Sequence, residues 1–165
     1  MRRASWLGSL AATVGICGAV TACGSTPAAP DRACSIDGAT VENLAGTAEF
    51  SADDAEIGSD LPLGEQKVDA SCDIGVGDHT ITVVSVVLTA QDAESLSKTY
   101  AASPHAFSDD EGLGVVGDHV GGYLCGRVDT RLVFDDELEA PYDETTMRAA
   151  LADVVAEVGC YDGES

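Results

Sequence analysis

Hydrophobic and polar positions along this chain fall into segments of different period. The first is continuous. Trp6 to Val20, WLGSLAATVGICGAV, carries no charge and follows Met1-Arg2-Arg3. Its 15 residues fall short of the roughly 20 that a membrane-crossing helix needs, but they have the length of a signal h-region. Residues 37–46, DGATVENLAG, then predict a short helix, with Asp37 as cap, Val41 and Leu44 on one side and Gly46 as terminator. Residues 47–66 are acidic and irregular, with Phe50, Ile57, Leu61 and Leu63 as apolar anchors. Lys67–Ile74 predicts a strand and Gly75-Val76-Gly77-Asp78 a tight turn. His79–Thr89, HTITVVSVVLT, is the strongest strand, apolar on both faces over part of its length, and is expected to be central or covered on both sides. Thr89 opens a helix to about Ala102, with Ala93, Leu96 and Tyr100 on its stripe. A glycine-rich passage at 112–122 leads into one or two strands over Tyr123–Phe134, where Val128, Thr130, Leu132 and Phe134 share a face. Asp143 caps a last helix whose stripe is Met147, Ala150, Leu151, Val154, Val155 and Val158, and Gly159 ends it. The succession predicts an α+β domain with a mostly antiparallel sheet covered by helices.

The chemistry after the first apolar stretch changes how it is read. Val20-Thr21-Ala22-Cys23 places an aliphatic residue and two small residues before a cysteine, and this resembles the lipobox of bacterial lipoprotein precursors. The resemblance implies diacylglycerol on the Cys23 sulfur and cleavage after Ala22. Cys17 does not compete, because Ile16 rather than a small residue precedes it. Acyl chains on one cysteine hold a soluble domain at a membrane, since two chains are needed for stable anchoring. GSTPAAPDRA at 24–33 reads as a tether. The expected organisation is a signal peptide at 1–22, a lipidated cysteine and flexible tether at 23–33, and one α+β domain at 34–165 on the outer face of the cell membrane.

Charge narrows the partners. After Cys23 the chain holds six basic residues and 29 acidic ones, a net charge of −23. Such a surface repels nucleic-acid phosphates, which bind through basic contacts, and also anionic lipid headgroups. It suits a cationic partner or divalent ions, and it keeps a domain soluble.

Six cysteines are present; Cys17 belongs to the signal and Cys23 to the anchor. Cys34, Cys72, Cys125 and Cys160 remain in an oxidising compartment, where an even number implies two disulfides. Of the three pairings, Cys34–Cys72 with Cys125–Cys160 is favoured because it ties each terminal helix to a strand. Cys72–Cys125 across neighbouring strands, with Cys34–Cys160, competes with it. No Cys-x-x-Cys pair points to zinc or to redox chemistry.

Candidate catalytic chemistry is sparse. His79, His105 and His119 match no metal-ligand spacing. The acidic runs 109–111 and 135–137 lack the alternating ligands of a calcium loop. GLGVVG at 112–117 has an acidic loop before it and further glycines and a strand after it, not the strand and helix of a dinucleotide fingerprint. Ser85 lies within a strand, outside any Gly-x-Ser-x-Gly elbow. No catalytic, cofactor-binding or metal-ligating residue is assigned.

Beyond the lipobox, the chain resembles small actinobacterial cell-envelope lipoproteins of the uncharacterised-domain families in mycobacterial and nocardial relatives. The resemblance rests on Cys34 before VENLAG, Cys72 in ASCDI, the long alternating strand, CGRV at 125–128 and the C-terminal helix. It implies an envelope location. The expected function is a non-catalytic accessory module binding a small ligand or an envelope protein. The alternative is an extracytoplasmic hydrolase or divalent-cation-binding protein using clustered carboxylates.

Overall fold

The structure, a computed structural model, describes residues 29–57, 69–138 and 143–162. The signal segment, Cys23, Asp60, Leu61, Leu63 and Lys67 lie outside the described residues.

The described chain opens with a small hairpin, β1 (Arg32–Ala33) and β2 (Ile36–Asp37), joined by Cys34 and Ser35. Both linking residues have positive φ, 52° and 71°. Tight two-residue hairpins require this geometry and usually fill it with Asn-Gly; for Cys and Ser it costs roughly 1–2 kcal/mol each. Tertiary bonds hold the turn. Cys34 N donates to Asp54 O (3.0 Å) and Ser35 N to Ala55 O (2.8 Å). Ile57 N donates to the buried Ser35 Oγ (3.0 Å). Cys34 is thus a turn residue rather than the start of the first helix. Ala33, on the tether side of it, is fully buried.

Helix α1 (Gly38–Ala45) follows, with the Asp37 carboxylate accepting from Ala39 N and Gly46 in the left-handed conformation. The expected cap, stripe and stop are all present. The main sheet has seven strands: β3 (Ser51–Ala52), β4 (Asp69–Val76), β5 (His79–Val87), β6 (Ala106–Ser108), β7 (Leu113–Val116), β8 (Val120–Cys125) and β9 (Val128–Phe134). Their order is β3-β4-β5-β9-β8-β7-β6, antiparallel throughout. Gly75 and Val76 continue β4, so the turn narrows to Gly77-Asp78, with Gly77 at φ 62°.

Two helices complete the described fold, α2 (Ala90–Ala101) and α3 (Glu144–Val158). Alternation along each strand splits the sheet into two faces. One face carries Cys72, Ile74, Ile81, Val83, Tyr123, Cys125, Leu132 and Phe134, and packs with α1 and α3 into the main core around Met147, Leu151 and Val154. On the opposite face, α2 sets Ala93 and Tyr100 against Leu124, with Leu96, Leu113 and Val115 around them. Helix α2 covers only the β6–β8 end. Val133 and Val120, paired across β9 and β8 on this face, stay 43% and 42% exposed.

The consecutive glycines of β8 explain how both helices approach so closely. Gly121 faces Met147 of α3, and a Cβ there would lie 2.6 Å from its sulfur. Gly122 faces α2, and a Cβ would lie 2.3 Å from the Tyr100 oxygen. The fold is α+β, a large antiparallel sheet partly covered by helices and closed by the disulfides Cys34–Cys72 and Cys125–Cys160.

Candidate functional site

A concavity lies where α3 crosses the β6–β7–β8 end of the sheet. It is a groove of about 440 Å³, within the range of small-ligand sites. Phe107 on β6 and Tyr123 on β8 form one wall, their ring centroids 6.0 Å apart and planes inclined at 28°. Helix α3 forms the other with Ala149, Ala152, Val155 and Ala156. The alanines sit beside the buried stripe of Met147, Leu151 and Val154, so docking that stripe presents them to the groove. Ser108, Asp109, Glu111 and Arg148 line the rim.

The aromatic wall depends on the glycine-rich segment. A Cβ at Gly114 would stand 2.2 Å from the Phe107 ring, so the ring lies flat across β7 only because residue 114 has no side chain. Asp109 shapes the loop before it. Its Oδ1 accepts from Glu111 N (3.0 Å), Gly112 N (2.9 Å) and the Tyr123 hydroxyl. The Tyr123 phenol holds the Asp109 carboxyl below the ordinary carboxylate range; burial opposes it, and these amides add to the lowering. Burial first, then the Asp109 carboxylate, pushes the Tyr123 phenol well above its ordinary value. At neutral pH Asp109 is therefore ionised and Tyr123 protonated. Arg148 pairs with Glu144 one turn earlier on α3, and its guanidinium carbon lies 4.1 Å from the Phe107 ring centroid.

A second polar cluster lies on the opposite face. The Tyr100 hydroxyl donates to Asp129 Oδ1 (2.9 Å), and Arg131 Nε donates to Asp129 Oδ2 (2.7 Å). Asp129 is only 3% exposed. Burial pushes its carboxyl up, and Arg131 and Tyr100 pull it back. With both oxygens engaged, this cluster fastens α2 to the sheet.

His79 faces Asp135 (3.6 Å), while His105 and His119 lie in the segments before β6 and β8. Among the described residues, no three His, Cys, Asp or Glu side chains converge in a way that would hold a metal ion. Ser85 is buried in β5 and shares a hydrogen bond with Thr130 (2.9 Å). The four domain cysteines are spent in the two disulfides. Cys23, the expected lipidation site, lies outside the described residues.

Phe107, Tyr123 and Arg148 become groove residues only in the folded chain. Their signal was faint: small residues at 149, 152 and 156 on the otherwise polar side of a helix. No family model, curated protein or solved structure matches this chain. The class of protein rests on fold and site together: a disulfide-closed α+β domain with an aromatic-walled groove under its C-terminal helix.

Proposed function

We propose that this chain is a lipid-anchored, extracytoplasmic binding module that takes a small ligand in the groove between α3 and the Phe107–Tyr123 wall. The groove carries the reading. It has the size of a ligand site, apolar walls of aromatic rings and alanines, and charged groups at the rim, the combination by which small-molecule sites bind and orient their ligands. The ionisable groups of the wall support binding over proton transfer. Asp109 is displaced downward and Tyr123 upward, whereas an acid–base pair works best with pKa values near the operating pH. Anchoring at Cys23 follows from the lipobox resemblance. The two disulfides suit an oxidising exterior, and the resemblance to actinobacterial envelope lipoproteins supports the same location.

The test is capture of the tagged chain from membranes, with small molecules and proteins both identified by mass spectrometry. Ala152→Trp places an indole in the groove. A small molecule is expected to co-purify with the native chain and to be lost with Ala152→Trp. Co-purification of proteins alone, unaffected by Ala152→Trp, overturns the groove reading. Cys23→Ser is expected to abolish metabolic labelling with palmitate, and unchanged labelling overturns the anchor.

A further inference from the structure

We infer that the ligand of the groove carries an organic cation, an amine or guanidinium on an apolar body, and that Arg148 occupies the cation's place when the groove is empty. This rests on the reading of the groove as a small-ligand site. The Arg148 guanidinium carbon lies 4.1 Å from the centroid of Phe107. The negative face of an aromatic ring attracts such a charge, more strongly as water is excluded. The ring face thus already holds a cation, supplied by the chain itself.

Arg148 is suited to give up that place. Its partner Glu144 lies one turn back on the same helix, so the guanidinium keeps an ion pair when it leaves the ring. The rim adds the ionised Asp109 and the Glu111 carboxylate. The whole chain after Cys23 carries a net charge of −23, which draws cations toward the groove and repels anions. Across the groove from the rings, Ala149, Ala152, Val155 and Ala156 offer a trough without a polar side chain, which fits an alkyl or other apolar body. Charge selects one end of the ligand and the alanine trough accepts the other.

The experiment is calorimetric titration of the exported full-length chain bearing Cys23→Ser, with n-hexylguanidinium as probe and hexanoate as its anionic counterpart. Arg148→Met removes the internal competitor and keeps an apolar stem, and circular dichroism verifies that α3 persists. Hexylguanidinium is expected to bind, and Arg148→Met to tighten it by about two- to fivefold, the worth of one exposed cation–π contact. Phe107→Ala and Glu111→Gln are each expected to weaken it. If Arg148→Met weakens hexylguanidinium, or if hexanoate binds and that binding needs Arg148, the cation assignment is overturned. The groove reading then still stands, provided Ala152→Trp blocks hexanoate. Failure of both probes also overturns the cation assignment, and the membrane capture with Ala152→Trp decides the groove reading separately.

Discussion

Tyr100 and Gly122 meet at a point that sets how closely α2 lies on the sheet. The Tyr100 hydroxyl donates to the buried Asp129 carboxylate, and that same oxygen would stand 2.3 Å from a Cβ on residue 122. Gly122→Ala therefore drives the ring off Asp129, at a cost of about 1–3 kcal/mol for overpacking. Tyr100→Phe leaves a buried carboxylate oxygen short of a donor, also about 1–3 kcal/mol. The double variant removes the nearest clashing atom together with the bond, leaving the ring's Cζ 2.9 Å from the new Cβ. Its loss is expected to be smaller than the sum of the two single losses, because both changes act on the same contact. Denaturant unfolding of the four proteins checks this, and strict additivity contradicts it.

Helices α1 and α3 depend differently on their disulfides. Helix α1 has eight residues, too few to persist alone, and buries only Val41, Leu44 and Ala45. It follows the strained Cys34–Ser35 turn, which Cys34–Cys72 ties to β4. Helix α3 has 15 residues and buries Met147, Ala150, Leu151, Val154 and Val155 before Cys160 is reached. The bonds span 38 and 35 residues, so loop-closure entropy assigns each about 4 kcal/mol. The difference lies in the native state. Cys34 and Cys72 are both buried, and their loss disturbs packing beneath a strained turn, whereas Cys160 is exposed. Replacing Cys34 and Cys72 with Ala is expected to destabilise more than replacing Cys125 and Cys160. Hydrogen exchange should loosen first in α1 and the β1–β2 hairpin. The reverse order of stability, or loosening confined to α3, contradicts this.

At the scale of the whole molecule, charge repulsion works against compactness. Every described Lys and Arg has an intramolecular partner. Arg32, Lys98, Arg131 and Arg148 pair with Glu157, Glu94, Asp129 and Glu144, and Arg127 donates to Leu88 O and lies over Tyr161. With 29 carboxylate residues against six basic ones after Cys23, most of the acidic surface repels itself. Salt screens this repulsion over a length that falls from about 30 Å at 0.01 M to about 3 Å at 1 M. The exposed ion pairs that salt also weakens contribute little. The melting temperature is therefore expected to rise with sodium chloride across that range, and a flat or falling profile contradicts it.

Features encoded in neighbouring residues were legible before the structure. The Asp37 cap and Gly46 stop of α1, the alternation of β5 and the stripe of α3 each lie within one continuous stretch, where side-chain period and backbone preference act locally. These sufficed for the α+β class and for the antiparallel sheet. Strands β3 and β6, of two and three residues, carry no period of their own and exist because β4 and β7 offer them a partner. The left-handed Cys34–Ser35 turn violates local preference and stands only because residues 54–57 and Cys72 hold it. The groove is further still from local reading. Phe107, Tyr123 and Arg148 come together around the groove only after β6 has paired across Gly114 and α3 has docked on Gly121. The sequence by itself determined the periodic elements, the charge and the resemblance of its first residues to a lipoprotein signal. Tertiary structure alone decided which side chains share the groove, because contacts between residues tens of positions apart leave no period in the chain.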